Sequence, residues 1–206
     1  ENIKKSINPD NQKFIITKNL VKIYAASFIL SLILSIFLFI YPLLWKFLEI
    51  KELSLSIVYM VIFLPAAIFI YPSIRYLEKK NKINYAINFG WFFLFVGFSY
   101  FLMQDKNEFT LYILGIFFFL GITIFQSILP SLLSLYVSDQ MRATGTGPYY
   151  LLSFLGHAFG SICAGYIYSK NLLLNVPSSS ILIIFTTLIL VIWVAIGIPR
   201  YNKKVS

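Results

Sequence analysis

Six blocks of about twenty or more consecutive, mostly apolar residues dominate this sequence, and few folds can accommodate them. They cover residues 23–45, 56–76, 84–103, 110–136, 147–168 and 180–198. A bilayer's hydrocarbon core is ~30 Å thick, so a spanning helix needs roughly 20 such residues. Strands of a membrane barrel are about half as long and alternate polar with apolar positions, and neither feature is present. Helices are the remaining way to satisfy every backbone amide and carbonyl in lipid. Only 12% of the 206 residues are charged, about half the share of a soluble domain. The chain is therefore expected to be an all-α membrane protein. Its six transmembrane helices form a bundle over residues 23–198, with a polar linker at 1–22 and a short tail at 199–206.

The formal charge of +9 does not point to nucleic acid, because the basic residues sit in tails and loops and form no stripe on a soluble face. Their placement sets an orientation instead. Thirteen Lys and Arg fall in residues 1–22, 75–83, 137–146 and 199–206, which six alternating spans put on one side. Four fall in the loops on the opposite side, while the acidic residues divide evenly. Both termini are expected to be cytoplasmic, in a multi-pass protein of the plasma membrane. One cysteine, Cys163, leaves no internal disulfide and no cysteine-pair metal site. No cofactor is expected. The chain opens on Glu1 with no signal peptide before the first block, and is expected to be a fragment or a processed product.

Polar side chains inside a span usually face protein or a water-filled cavity. The first block carries Ser27, Ser31 and Ser35 at four-residue spacing, a single ridge. The fourth carries Thr123, Gln126, Ser127, Ser131 and Ser134. The fifth carries Tyr150, Ser153, His157 and Ser161 beside Gly156, Gly160 and Gly165. The third and sixth have almost none; the sixth offers Thr186 and Thr187. The first, fourth and fifth helices are thus expected to be central, with the second next. Serine and glycine also tighten helix packing, and Gly156-x-x-x-Gly160 fits close helix approach, so packing stands as the competing use of these residues. Pro42 and Pro130 sit at similar offsets in the first and fourth blocks, as in two related triplets of opposite orientation.

The stretch 129–147 holds Pro130, the acid–base turn Asp139-Gln140-Met141-Arg142, and Arg142-x-Thr144-Gly145-x-Gly147. Behind it comes Phe154-Leu155-Gly156-His157-Ala158-Phe159-Gly160, then Ala164-Gly165-Tyr166. This resembles the tenth-to-eleventh helix region of the major facilitator superfamily, most like branches that carry organic acids and other small metabolites. The resemblance implies half of a twelve-helix fold, the C-terminal half, built from two inverted three-helix repeats. The N-terminal six-helix half is then missing from this chain. In that family the first, second, fourth and fifth helices of each half line the cavity. The loop at 74–82 keeps an acid-then-base pair, Glu78 and Lys79, but lacks the glycines the family often has there.

The expected activity is secondary active transport of a small metabolite by alternating access around a site near the midplane. Depth places Ser31, Ser35, Thr123, Gln126, Ser153 and His157 within reach of such a site, with Tyr150 at its cytoplasmic mouth. Glu78, Lys79, Asp139 and Arg142 are expected to gate or anchor the cytoplasmic loops; Gly156, Gly160 and Gly165 are expected to pack helices. Coupling to a proton or another ion stays open, as does a facilitated uniporter for a sugar or other small solute. A truncated, non-transporting membrane protein that binds a partner is a further alternative. An intramembrane enzyme lacks a constellation: there is one histidine, and neither His-Glu-x-x-His nor Gly-x-Ser-x-Gly occurs. A channel lacks a filter-like loop. His157 is the only histidine and can bind substrate or carry a proton near neutral pH. His157→Ala is expected to abolish uptake by the full-length protein or its pH dependence; unchanged uptake at every pH would remove His157 from the mechanism.

Overall fold

The computed structural model describes residues 16–47, 55–80, 82–99, 108–174, 189–190, 192–194 and 196–199. Every regular element among them is helical. They are α1 (Lys18–Phe47), α2 (Leu55–Lys79), α3 (Ile83–Ser99), α4 (Glu108–Tyr136), a 3₁₀ turn (Asp139–Met141) and α5 (Arg142–Leu174). Four of these helices are long and apolar enough to cross a membrane, by length and composition: α1, α2, α4 and α5. α3 is apolar but shorter. The expected sixth span falls largely outside the described residues, Thr186 and Thr187 with it. Its described part includes helical residues at 192–194, where Trp193 is buried against Trp91 of α3 and Phe125 of α4.

The prolines do not end the helices. Pro42, Pro65, Pro72, Pro130 and Pro148 all lie inside continuous helices. Each removes one ladder hydrogen bond to the carbonyl four residues before it. α5 starts at Arg142, five residues before the expected boundary, so the glycine-rich stretch 142–147 is its first turns and not a loop. Thr146 steadies this start, its Oγ1 donating to the carbonyls of Arg142 (2.9 Å) and Ala143 (3.3 Å). Gly145 lies against Val137, where a Cβ would meet the valine side chain at 2.6 Å.

α4 is the hub. α3 packs antiparallel on it through Gly97 against Phe118 and Gly121 against Leu94, where an added Cβ would come within 2.9 Å of neighbouring backbone nitrogens. α2 runs parallel to α4, with Phe63 on Phe119 at a centroid distance of 4.1 Å. α1 crosses α4 antiparallel, with Phe37 stacked on Phe118 at 3.7 Å and the Tyr41 hydroxyl donating to the Leu111 carbonyl at 3.1 Å. These pairings alternate helix direction through the bundle. They gather the start of α1, the end of α2, the end of α4 and the start of α5 at one end, which carries most of the described basic residues.

α1 and α5 run parallel and make the most extensive helix pair. Ser27 donates to the Tyr149 carbonyl (3.3 Å), Ser31 meets Ser153 (Oγ–Oγ 2.7 Å), and Ser35 donates to the His157 carbonyl (3.0 Å) and meets Ser161 (2.6 Å). Gly156 and Gly160 face the α1 backbone; a Cβ on Gly160 would sit 2.6 Å from the Leu32 carbonyl oxygen. Gly165, expected to pack similarly, has nothing near the place its Cβ would take. α1 and α4 are the best-buried spans, but α5 is not central among the described residues. Ser153, Gly156, Gly160 and Ser161 lie on the stripe that α1 covers, and Leu151, Phe154, Phe159 and Ile162 are left exposed.

Gly160→Val should lower the unfolding free energy of the full-length protein by about 1–3 kcal/mol, the cost of overpacking a tight contact. Ser31→Ala should cost only about 0.6 kcal/mol, as single hydrogen bonds between membrane helices do. Steric-trapping or denaturant unfolding in detergent measures both; equal costs would mean that the hydroxyls, not the close approach, hold the pair.

Candidate functional site

The residues expected to converge on one site divide into two groups. Ser31, Ser35 and Ser153 are in the α1–α5 seam, their hydroxyls bonded across it. His157 lies on the same stretch of α5. Its backbone carbonyl accepts from Ser35 and Ser161, and its half-buried imidazole has no hydrogen-bond partner among the described residues. These contacts fit helix packing, the alternative use of small polar residues.

The second group lines two adjoining depressions that share Pro130 of α4. One, of about 370 Å³, lies between α2 and α4 and is bounded by Tyr71, Ile74, Arg75, Glu78, Gln126, Ser127 and Pro130. The other, of about 240 Å³, lies between α4 and α5 and is bounded by Pro130, Leu133, Ser134, Val137, Arg142, Thr146, Tyr149 and Tyr150. Adjoining at Pro130, they form a groove of mixed polar and apolar lining that runs from the middle of α4 to the basic end of the bundle. Of the expected site residues, Gln126, Tyr150, Glu78 and Arg142 border it. Thr123 is one turn deeper, its hydroxyl bonded to the Phe119 carbonyl at 2.7 Å. Lys79 is exposed and does not border it, and Asp139 opens the 3₁₀ turn before α5.

Local chemistry leaves hydrogen-bonding groups open in this groove. Pro130 has no N–H, so the carbonyl of Gln126, four residues back, loses its helical donor. The Gln126 side-chain amide is exposed and makes no hydrogen bond to any described residue. One residue thus offers two acceptors and a donor group at mid-helix. Ser127 donates to Thr123 (2.9 Å) and Ser134 to Ser131 (2.7 Å) within α4, which commits their protons and leaves their oxygens as acceptors. Arg75, Arg142 and Glu78 put charge of both signs around the rim.

Arg75, Ser127 and Thr146 were not singled out from sequence as site residues. The signal for Arg75 is its spacing: Tyr71, Ile74, Arg75 and Glu78 fall on one helical face, and an Arg–Glu pair on that face near a span end marks a polar surface.

No family model matches this chain, and no solved structure matches it. A curated relative named "Uncharacterized transporter", from Buchnera aphidicola subsp. Baizongia pistaciae (strain Bp), is 29% identical over 126 residues. The matched stretch is 60% of this chain and 32% of that protein, so the match spans about a third of its relative's length.

With Cys163 replaced by Ser in the full-length protein, Gln126→Cys and Ser134→Cys are expected to react with a small charged thiol reagent. Ser31→Cys, buried in the seam, is expected to stay unmodified. Protection of both groove cysteines would mean that water does not reach Pro130.

Proposed function

We propose that this chain is the C-terminal half of a secondary active transporter of the major facilitator type, moving a small metabolite, such as an organic acid, by alternating access. The observation that carries the reading is the Gln126 amide beside Pro130, without a hydrogen-bond partner among the described residues, in a groove between helices of membrane-spanning length. Transporters place such interrupted hydrogen-bond ladders at their substrate sites, where freed backbone groups can reach a ligand. Likeness to a protein named as a transporter supports the same direction.

On this reading the groove is the C-terminal wall of the substrate path. Gln126 contacts substrate, Tyr150 lies toward the cytoplasmic mouth, and Arg142 and Arg75 present cations to an anionic group. The exposed aromatic face of α5 meets the N-terminal six-helix half. The basic end of the bundle faces the cytoplasm, following the distribution of Lys and Arg. Rocking of the two halves opens the groove to each side in turn. A facilitated uniporter is the second reading. It is favoured by the described spans, which hold no Asp or Glu between the turns at their ends, whereas proton-coupled carriers commonly use intramembrane carboxylates.

The test is an uptake screen of the full-length protein in proteoliposomes, with and without a pH gradient. For the substrate found, Gln126→Leu should reduce uptake about tenfold or more, as expected for loss of about 1.4 kcal/mol of hydrogen bonding. Ser31→Ala should stay close to wild type. Acceleration by an inward proton gradient selects symport, and indifference to it selects the uniporter. Wild-type uptake by Gln126→Leu would remove the groove from the substrate path.

A further inference from the structure

α2 and α3 are joined through residues 80–82 alone, a connection short enough to pack two helices side by side as a hairpin. They diverge instead, each packing on α4 more than on the other. α2 carries Pro65 and Pro72 along this stretch, each of which removes one ladder hydrogen bond. A groove of about 390 Å³ opens between them, walled by Phe69 on α2 and Phe89 on α3 and floored by Leu120 of α4. It lies on the other side of α2 from the Gln126 site, and its lining is almost wholly apolar.

Along α2 the groove runs from Pro65 to Leu77. At ~1.5 Å per residue that is about 18 Å, close to one leaflet of a ~30 Å hydrocarbon core. Just past Leu77 at that end the chain carries Lys79, Lys80 and Lys82, all exposed. Lys80 Nζ lies 4.5 Å from the Tyr76 ring centre, and Lys82 Nζ lies 5.9 Å from that of Tyr85. Each tyrosine continues the row of its own groove wall at helical spacing, so one lysine is held at the mouth of each wall by its ring. The nearest acid in sequence, Glu78, borders the Gln126 groove on the opposite face of α2. Among the described residues, no ion pair engages these lysines.

We propose that this groove binds an anionic phospholipid: one acyl chain lies between α2 and α3, and the phosphate sits among Lys79, Lys80 and Lys82. A one-leaflet apolar channel with a cluster of cations at its end matches that molecule better than a soluble anion. The site requires only that the bundle be embedded in a bilayer and is independent of the transport reading.

The test is native mass spectrometry of the full-length protein with dioleoylphosphatidylglycerol or dioleoylphosphatidylcholine, which share acyl chains and differ in headgroup charge. The wild type should retain the glycerol lipid about tenfold better, in line with clustered lysines at an anionic surface. The triple variant Lys79→Gln, Lys80→Gln, Lys82→Gln should lose that preference, while Lys18→Gln with Lys22→Gln keeps it. Ser73→Trp, which fills the groove from its exposed wall and leaves the lysines in place, should weaken retention of the anionic lipid. Equal retention of both lipids, or a triple variant that keeps the preference, would overturn the proposal. So would loss of the preference on neutralising Lys18 and Lys22.

Discussion

Between the first helix and the fifth, backbones approach so closely that Gly160 has no room for a methyl group beside the Leu32 carbonyl. Lipid supplies no hydrophobic drive for one apolar helix to leave it for another, so association rests on dispersion contacts and hydrogen bonds at short range. Gly156 and Gly160 permit the approach, and Ser27, Ser31 and Ser35 then reach α5 at each successive turn. α3 repeats the solution on α4 with Gly97 and Gly121. Two glycine-built seams and the Phe37–Phe118 stack between them account for the placement of α1, α3, α4 and α5.

This economy of faces decides where function can reside. A helix that spends its small residues on a neighbour has only its bulky residues left to present elsewhere, as α5 does with Phe154 and Phe159. α4 is surrounded by α1, α2 and α3, yet it keeps an open strip at Gln126, Ser127, Pro130 and Ser134. Polar atoms are retained on that strip although no other described helix covers it, and in a span this is a costly arrangement unless water or a ligand reaches it.

The helices themselves were legible in the sequence because span length and apolarity are local properties. So was the serine ridge, since four-residue spacing alone puts Ser27, Ser31 and Ser35 on one face. Which helix that ridge would meet was not legible. Pairing of α1 with α5 joins residues more than a hundred positions apart, and serine spacing is identical for a helix seam and a cavity wall. The start of α5 was missed for a related reason: Gly145 and Gly147 read as a loop, whereas Val137 leaves no space for a side chain at Gly145. Gln126 was visible as a lone amide in an apolar block, but its link to Pro130 needed the helix to continue through the proline. Arg75 was hidden among loop lysines until α2 was seen to extend to Lys79.

The constant offset between Ser27, Ser31 and Ser35 and their partners on α5 carries a consequence for biogenesis. A nascent chain delivers α1 to the bilayer long before α5 has been translated, so the ridge must reside among acyl chains without its mate. Ser27 shows how this is tolerated: its hydroxyl also donates to the Tyr24 carbonyl of its own helix, at 2.8 Å. A hydroxyl that can turn back on its own backbone enters the membrane already satisfied and exchanges or shares that bond when α5 arrives. An asparagine brings two donors and an acceptor, more than one such bond can satisfy, so the choice of serine suits an element that must wait for its partner.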